Sequence, residues 1–369
     1  MMRSRCLAAL LALALSMPAS AADRYMGADM SFTNEMEDCG AVYREGGVAK
    51  DPFAILKEHG GTLVRVRIWN YATWTKYSNL ADVKKTIARA RAQGMQVLLD
   101  FHYSDTWADG GKQFIPAAWA GITDDAALSQ ALYQYTFDTL MALDHDGLMP
   151  DLVQVGNEIN SEILQPEGTK WHPINWDRNA RLINAGIKAV RDAGAKSAIK
   201  PKVVLHIAQP ENVEPWFAAA VKASVTDFDV IGISYYSKWS KYTIRQLGIE
   251  IVRLRMLYPS KEVLIAETGY PWTTAWKDNQ PNTLGEDSII PYYGGTREGQ
   301  KNYLMDLATT VLANGGTGVL YWEPTWVSTD CKTPWGRGSS WENATLFDFD
   351  NDVLPGMDFM KADGTAPAK

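Results

Sequence analysis

Two glutamates of this chain, Glu158 and Glu267, each come just after an apolar, strand-like run. A pair of facing carboxyl groups can cleave a glycosidic bond, because one carboxylic acid protonates the leaving oxygen while a carboxylate attacks the anomeric carbon or activates water. A single glutamate at a strand end is often only a salt-bridge partner. Two glutamates at matching positions favour a hydrolytic pair over two structural ion pairs.

The apolar runs before these glutamates belong to a series of eight along the chain. Amphipathic stretches with helical spacing lie between them, including Asp82 to Gln93, Trp176 to Ala193 and Arg297 to Ala313. Eight alternations of strand and helix predict the α/β class and a single (β/α)8 TIM barrel with extended βα loops. The predicted strands are Tyr25 to Asp29, Leu63 to Trp69, Gln96 to Phe101, Leu152 to Val155, Lys202 to Ile207, Val230 to Tyr235, Glu262 to Ala266 and Gly318 to Trp322.

The two glutamates follow the fourth and the seventh of these strands. In a (β/α)8 barrel, the carboxyl ends of the strands and the loops after them form the catalytic face. Other polar and aromatic residues gather after the strands as well, such as Trp69, Asn70 and His102. We therefore expect Glu158 and Glu267 to face one cleft at this rim.

Residues 1–21 are typical of a secretory signal peptide. Arg3 and Arg5 give a basic start, Leu7 to Leu15 is an apolar run, and Ala19-Ser20-Ala21 is a small-residue cleavage site. The run is about half of the ~20 residues needed to cross a bilayer. We expect a secreted protein, extracellular or periplasmic, that does not associate with a membrane.

The rest of the chain is assigned to one catalytic barrel, residues 22–361, and a disordered tail, residues 362–369. The chain has 36 Lys and Arg against 43 Asp and Glu. Nucleic-acid binders present basic faces, so we expect no nucleic-acid partner, and we expect a monomer. The five histidines lack zinc-binding spacing, and no nucleotide-binding motif is present. We therefore expect no cofactor and no metal ion.

Seven short motifs lie at or after the predicted strands: Met26-Gly-Ala-Asp-Met-Ser, Arg65-Val-Arg-Ile-Trp-Asn, Asp100-Phe-His-Tyr-Ser-Asp-Thr-Trp-Ala-Asp109, Val155-Gly-Asn-Glu-Ile159, Gly232-Ile-Ser-Tyr-Tyr236, Ala266-Glu-Thr and Tyr321-Trp-Glu-Pro-Thr-Trp326. In this order they resemble family 53 of the glycoside hydrolases. The run from Asp100 to Asp109 is highly specific, whereas the Asn-Glu pair alone would indicate only clan A. The family comprises arabinogalactan endo-β-1,4-galactanases with a (β/α)8 barrel and a retaining mechanism. The resemblance thus implies β-1,4-galactan or arabinogalactan as substrate.

Carried onto this chain, the resemblance implies that Glu158 is the general acid/base and Glu267 the nucleophile. Asn157 would bond the sugar 2-hydroxyl, and Arg67 and Tyr236 would orient the nucleophile. A guanidinium beside a carboxylate favours the charged form, and a Tyr hydroxyl can donate a hydrogen bond to it. We therefore expect Glu267 to be ionised while Glu158 holds its proton to higher pH.

The resemblance also implies a substrate cleft lined, after the third strand, by His102, Asp105, Trp107 and Asp109. Trp322 would form the floor under the reacting sugar, because an aromatic ring covers an apolar C–H face of the sugar. Trp326 joins it among the expected substrate-binding residues. Arg65 is assigned to a structural salt bridge, on the expectation that it points away from Arg67.

Several positions beside the expected cleft depart from the family pattern. Glu162 and Gln165 stand where a Gly and a Trp are usual, and Gly110 stands where a Pro is usual. These changes bear on the outer subsites. Some family members bind calcium in a loop after the seventh strand, but residues 276–282 contain one acid, too few for a calcium cage.

Cys39 and Cys331 are the two cysteines left after removal of the signal peptide. They lie in the loops after the first and the eighth strand, which are neighbours in a closed barrel. Secretion would expose them to an oxidising compartment. We therefore expect a disulfide between them, with two unpaired thiols as the alternative.

Two other functions remain open on the sequence. Another retaining clan A hydrolase could act on mannan, xylan or cellulose, and the run from Asp100 to Asp109 favours galactan over these. A barrel that only binds glycans has no need of a paired acid and base, so Glu158 and Glu267 argue against it.

Overall fold

Eight parallel strands close into a barrel in the computed structural model, which describes residues 24–170 and 172–365. Each strand pairs with the next along the chain, and the eighth pairs with the first. The predicted (β/α)8 fold is therefore confirmed. The strands are β1 (Tyr25–Asp29), β2 (Leu63–Ile68), β3 (Gln96–Phe101), β4 (Leu152–Val155), β5 (Lys202–Ala208), β6 (Val230–Tyr235), β7 (Glu262–Thr268) and β8 (Gly318–Tyr321).

Helices alternate with the strands, and several begin at a side-chain cap. The Asn79 side chain accepts hydrogen bonds from the amides of Ala81 and Asp82, so the third helix begins at Leu80, two residues before the predicted start. Thr243 and Gln246 form a reciprocal capping box at the seventh helix. The helices are α1 (Thr33–Asp38), α2 (Pro52–Glu58), α3 (Leu80–Ala92), α4 (Asp125–His145), α5 (Trp176–Lys196), α6 (Val213–Lys222), α7 (Ile244–Leu257) and α8 (Arg297–Ala313).

The loops contain short hairpins and 3-10 segments. Two small hairpins pair Arg44–Glu45 with Val48–Ala49 and Lys332–Thr333 with Gly336–Arg337. Short 3-10 segments occur at Ala117–Trp119, Pro210–Asn212, Glu286–Ser288, Glu342–Ala344 and Pro355–Lys361. Within the described residues, no helix combines the length and apolar character that a membrane span requires.

The barrel interior changes from apolar to polar toward the carboxyl ends of the strands. Each strand contributes one residue to a buried apolar layer, formed by Tyr25, Leu63, Leu98, Leu152, Val204, Val230, Leu264 and Leu320. Side chains two positions apart on a strand point to the same side. Two positions beyond this layer stand buried polar residues, including Arg65, Asp100, Gln154 and His206. A buried polar network therefore lies between the apolar layer and the carboxyl ends of the strands.

An irregularity in β7 turns Glu267 toward this interior. Ile233 of β6 pairs with Ile265, but Ser234 pairs with Glu267, so β7 holds one extra residue at this point. A bulge of this kind re-aims the side chains that follow it. Without the bulge, alternation from inward-facing Leu264 would point Glu267 away from the barrel axis.

The predicted signal peptide, residues 1–21, lies outside the described residues. Ala362, which was expected to begin a disordered tail, is instead buried in the core, and its amide donates to Phe359 O. The packed barrel therefore extends past residue 361. Residues 366–369 of the expected tail lie outside the described part of the chain.

A disulfide joins Cys39, at the end of α1, to Cys331 in the loop after β8. Their Cα atoms lie 5.6 Å apart, and 292 positions separate the two residues in the chain. We expect replacement of both by Ala to lower the free energy of unfolding by as much as about 5 kcal/mol, because the cross-link restricts the unfolded chain. Denaturant titration measures this loss. An unchanged unfolding midpoint would contradict it.

Candidate active site

A cleft of about 360 Å³ opens at the carboxyl ends of the strands. Its walls come from loops after β3, β4, β6, β7 and β8, so residues distant in sequence meet there. Ten of the eleven residues predicted to contact substrate line it: Arg67, His102, Trp107, Asp109, Asn157, Glu158, Tyr236, Glu267, Trp322 and Trp326. Asp105 is the exception.

Glu158 is held by a sharp turn after β4. Gly156 has a φ of 87°, and a Cβ there would lie 2.5 Å from an Ile159 methyl group, so this position requires glycine. Glu158 itself adopts a φ of 44°, a region that non-glycine residues rarely occupy and that is found at functional sites. Its Oε2 accepts a long hydrogen bond, 3.4 Å, from the Gly110 amide.

Glu267 receives two hydrogen bonds from the barrel. Arg65 Nη1 lies 2.8 Å from its Oε1, and the Tyr236 hydroxyl donates to its Oε2 at 3.1 Å. The same guanidinium contacts Asp29 at 2.7 Å and Asp100 at 2.8 Å. One buried cation thus serves three buried carboxylates, which leaves this part of the site short of positive charge.

The structural salt bridge predicted for Arg65 is confirmed by its contacts with Asp29 and Asp100, but the predicted direction of its side chain and the role given to Arg67 are wrong. Arg65 also contacts Glu267, the partner expected for Arg67, whereas Arg67 pairs with Glu323. The two side chains point to the same face because they are two positions apart on β2, not one. They lie at different depths along the barrel axis, with Arg65 deeper in the barrel and Arg67 nearer the carboxyl ends of the strands.

Arg67 supports the aromatic wall of the cleft. Its guanidinium lies 4.4 Å from the ring centroids of Phe32 and Trp107 and 4.9 Å from that of Trp69. Glu323 pairs with Arg67 and also accepts from the Phe32 amide. These cation–π contacts hold Trp107, which lines the cleft, against Phe32 and Trp69 behind it.

The amide of Asn157 is largely engaged within the protein. Its Oδ1 accepts from Arg65 Nη2 at 2.7 Å and lies 3.0 Å from His206 Nδ1, while its Nδ2 donates to Ala108 O at 2.8 Å. Because an amide nitrogen carries two N–H groups, one donor is left for a ligand. Donation to a sugar hydroxyl is therefore the contact open to Asn157.

His102 lies beneath the loop after β3. Its Nδ1 accepts from the Ala108 amide, so Nε2 carries the hydrogen that is shared with Asp100 at 3.0 Å. Asp105 was expected in the cleft as well, but its carboxylate accepts from the amides of Tyr71 and Ala117. It braces the loop away from the cleft, and the prediction for Asp105 is wrong.

The model of glycosyl hydrolase family 53 matches residues 25–360. The chain belongs to this family. An arabinogalactan endo-β-1,4-galactanase of Cellvibrio japonicus is 54% identical over 348 residues, which cover 94% of this chain and 92% of that protein.

Two solved structures are similar over nearly the whole chain. The catalytic domain of a family 53 enzyme from Ignisphaera aggregans has a TM-score of 0.84 at 33% identity, covering 93% of this chain and 97% of that one. A structure from a study of two fungal β-1,4-galactanases has a TM-score of 0.77 at 29% identity, covering 91% and 98%. The expected family and fold are thus confirmed, and the chain is a glycoside hydrolase.

Several residues in the cleft of this family 53 enzyme were not predicted from sequence. Trp341 lies 4.7 Å from Trp322, measured between ring centroids, and packs edge-on against Tyr236. Trp239 and Lys112 also line the cleft. Trp341 follows β8 by twenty residues within an irregular loop, so no strand-end position marks it in the sequence.

Burial raises the pKa of both glutamates of the pair. The pKa of Glu267 rises to about 8. Arg65 lowers this pKa, but burial and the negative charges of Glu158, Asp100 and Asp29 raise it by more. Asp109 raises the pKa of Glu158 further, while its hydrogen bond from Ser234 lowers it. A pKa of about 8 runs against the expectation that Glu267 ionises first. Because the two carboxyls titrate as a pair, the hydrogen bonds that Arg65 and Tyr236 donate decide which one carries the charge, and they favour Glu267.

Ser234 links Glu158 to His206. Two N–H donors face His206 Nδ1, the Glu158 amide at 3.3 Å and Gln154 Nε2 at 3.1 Å, and the nearby Asn157 Oδ1 already accepts from Arg65. His206 Nδ1 is therefore assigned as an acceptor, and Nε2 carries the hydrogen that meets Ser234 Oγ at 2.9 Å. Burial lowers the pKa of His206 well below its usual range, which keeps the ring neutral. The Ser234 hydroxyl is thereby free to donate its own hydrogen to Glu158.

We expect Ser234→Ala to move the alkaline limb of the activity profile to higher pH. Loss of the donated hydrogen bond raises the pKa of Glu158, and a general acid works only while protonated. The pH dependence of kcat/KM measures the shift. Ser129→Ala, which removes a hydroxyl bonded within α4, is the matched control and should leave both limbs in place. An alkaline limb at or below the wild-type position would contradict this expectation.

Proposed function

We propose that this enzyme cleaves β-1,4-galactosidic bonds within galactan or arabinogalactan by a retaining double displacement. The pairing of Glu158 and Glu267 in one cleft carries the proposal, together with the 54% identical relative named as an arabinogalactan endo-β-1,4-galactanase. The similarity extends along the cleft-forming loops as well as the barrel, because it covers 94% of the chain.

In the first step, the Glu267 carboxylate attacks the anomeric carbon while Glu158 gives its proton to the leaving oxygen. Arg65 and Tyr236 both donate to Glu267, which favours its charged, nucleophilic form. Glu158 has fewer donors and lies near Asp109, which favours its protonated form. In the second step, Glu158 takes a proton from water, which then releases the sugar from Glu267.

The aromatic residues supply apolar surface for the sugar rings. Trp322 is partly exposed in the cleft and packs against Trp107 and Trp326, with ring centroids 5.9 Å away in each case. Sugars have apolar C–H faces that an indole ring covers well. We assign Trp322 as the floor beneath the reacting sugar, with Trp107 and Trp326 beside it.

The product is expected to retain the anomeric configuration of the substrate. Two successive displacements at the same carbon restore the original configuration, whereas direct attack by water would invert it. Proton NMR of the first product, recorded before mutarotation, distinguishes the two outcomes. An initial α-anomer would contradict the mechanism.

Galactan should be the preferred polymer among the plant β-glycans. Side-by-side digestion of galactan, arabinogalactan, mannan, xylan and cellulose, with product sizes resolved by chromatography, tests this directly. Release of short oligosaccharides from galactan supports an endo-acting galactanase. Preferential release from mannan, xylan or cellulose would instead support the other clan A activities.

We further propose that the enzyme acts outside the cytoplasm as a monomer. The basic start, apolar run and small-residue site within residues 1–21 support export and cleavage after Ala21. N-terminal sequencing of the protein from the periplasm and the medium tests the cleavage site. Size-exclusion chromatography with light scattering tests the monomer.

A further inference from the structure

Gln113 lies in the loop after β3 and contacts the backbone of Glu158. Just before it, Asp109 and Lys112 exchange backbone hydrogen bonds of 3.0 Å in both directions, which closes a tight turn around two glycines. Gln113 is buried and is not among the residues that line the catalytic cleft. The turn therefore places a side-chain amide where it contacts the protein and not the substrate.

The side-chain amide of Gln113 donates to three backbone carbonyls. Its Nε2 lies 2.9 Å from Asp109 O, 2.8 Å from Asn157 O and 3.2 Å from Glu158 O. An amide nitrogen carries two hydrogens, so one of them is shared between two of these carbonyls. One side chain thus joins the loop after β3 to two consecutive residues that follow β4.

The backbone of Gln113 is itself held by the loop after β4. Its carbonyl accepts from the Gln165 amide at 2.7 Å, and the Ile115 amide donates to Gln165 O at 2.9 Å. Between them, Phe114 and Gln165 pair as a parallel bridge. Because this pairing fixes the main chain of Gln113, its amide is a firm support for the residues that it contacts.

Glu158 needs such a support because of its backbone conformation. A φ of 44° is one that residues with a side chain rarely adopt, and it persists only where the surroundings hold it. The Glu158 carbonyl accepts from Gln113 and also from the Asn160 amide at 2.7 Å. Loss of the Gln113 donor would free the peptide group between Asn157 and Glu158 to rotate. A displacement of about 1 Å at a catalytic group can reduce the rate by about 100-fold.

The other groups of the site have supports of their own. Glu267 is bonded by Arg65 and Tyr236. The Asn157 side chain accepts from Arg65 at 2.7 Å. None of these contacts involves Gln113. A change at Gln113 should therefore displace Glu158 and leave the nucleophile in place.

We propose that Gln113 is a positioning residue for Glu158, which directs the general acid toward the leaving oxygen by holding the backbone of residues 157 and 158. The role of Glu158 as the acid rests on the proposed function. If Gln113 acts in this way, its contribution depends on the leaving group. A weakly basic leaving group departs without a proton, whereas a strongly basic one needs a well-placed acid.

The test uses two substrates with the same sugar, phenyl β-galactobioside and 2,4-dinitrophenyl β-galactobioside. We expect Gln113→Met, which keeps the length of the side chain but has no donor, to lower kcat/KM for the phenyl substrate by about 10- to 100-fold. For the dinitrophenyl substrate, kcat/KM should stay within about threefold of the wild type, because formation of the glycosyl-enzyme then needs no proton. Equal losses for the two substrates, or no loss for either, would overturn the role of Gln113 and leave the proposed function standing.

Gln300→Met is the matched control. Gln300 is also buried, and its Nε2 donates to the backbone carbonyls of Tyr270 and Thr345 at 2.9 and 3.0 Å. It lies in α8, outside the lining of the cleft. Any loss of activity in this variant should be equal for the two substrates, because it disturbs packing without touching the acid. A selective loss for the phenyl substrate here as well would overturn a specific role for Gln113.

Gln113→Glu gives a second reading if the methionine variant does not fold, which circular dichroism shows. It keeps the shape of the side chain and retains at most one donor in place of two. The phenyl substrate should again lose more activity than the dinitrophenyl substrate, and equal losses would overturn the proposal.

Failure of the proposed function would be visible separately. If the wild-type enzyme cleaved neither galactan nor the two galactobiosides, the proposed function would fail. The same two leaving groups, attached to a disaccharide of the glycan that the enzyme does cleave, would then decide the role of Gln113, with equal losses in Gln113→Met overturning it.

Discussion

Glu267→Gln is expected to reduce kcat on galactan by at least about 1,000-fold, the scale on which nucleophiles and general acids or bases act. Glutamine keeps the shape of the side chain and can still bond to Arg65 and Tyr236, so the fold should persist. It has no carboxylate to attack the anomeric carbon. Reducing-sugar release and circular dichroism, measured on the same preparation, separate lost chemistry from lost structure.

Glu158→Ala is expected to behave differently from Glu267→Gln. An aryl galactoside with an activated phenol leaves without protonation, so the covalent glycosyl-enzyme should still form on Glu267. Its breakdown is slow because no base activates water. Added azide needs no base and should accelerate turnover to give a β-galactosyl azide. A retained β-galactosyl azide from Glu267→Ala, together with an inverted α-galactosyl azide from Glu158→Ala, would reverse the two roles.

A control for both variants is Glu286→Gln. Glu286 is an exposed glutamate in the short 3-10 segment after β7, outside the lining of the cleft. The same loss of one negative charge there should leave kcat within about twofold of wild type, since surface substitutions away from a site have small effects. A large loss in this variant would indicate a nonspecific effect of charge.

The sequence patterns were sufficient for the eight strands and for the face on which the site lies. Apolar runs of four to seven residues separated by amphipathic stretches admit few arrangements other than this barrel. The end of β7 was harder to predict from the sequence. The strand runs on to Thr268, and one extra residue in it turns Glu267 inward. A bulge depends on pairing with β6, so the apolar pattern of β7 alone does not reveal it.

The two arginines show that a strand pattern predicts which face a side chain is on but not which partner it contacts. Alternation places Arg65 and Arg67 on the same face but says nothing of which one reaches Glu267. That depends on depth along the barrel axis and on Glu323, whose position after β8 gives Arg67 another partner. Asp105 differs again, because its amide partners Tyr71 and Ala117 lie in separate loops whose course follows no periodic pattern.

Arg65→Met is expected to lower the free energy of unfolding by about 3–5 kcal/mol, the cost of leaving buried charges without their partner. The guanidinium is buried against Asp29, Asp100 and Glu267, each within 2.8 Å. Methionine fills similar space but offers no donor to any of the three. Thermal and denaturant unfolding at pH 7 measure the loss.

An exposed arginine supplies the comparison. Arg253 pairs with Glu214 on the surface, where its side chain is 61% exposed. Arg253→Met should cost less than about 1 kcal/mol, because solvent screens such a pair. Equal unfolding midpoints for Arg65→Met and the wild type would show that the buried carboxylates do not depend on Arg65.

The loss caused by Arg65→Met should shrink as the pH falls. In the wild type, Arg65 lowers the pKa of Asp100, so this ion pair stabilises the protein above the ordinary pKa of an aspartate and is lost as the pH falls through the lowered value. In the variant, burial without a counter-charge raises the pKa of the same carboxyl above its unfolded value. The raised pKa penalises folding at neutral pH, and the penalty disappears once the carboxyl is protonated in both states. The difference in unfolding midpoint should therefore be greatest near pH 7 and smallest below about pH 4, whereas a gap caused only by lost packing would stay constant across this range.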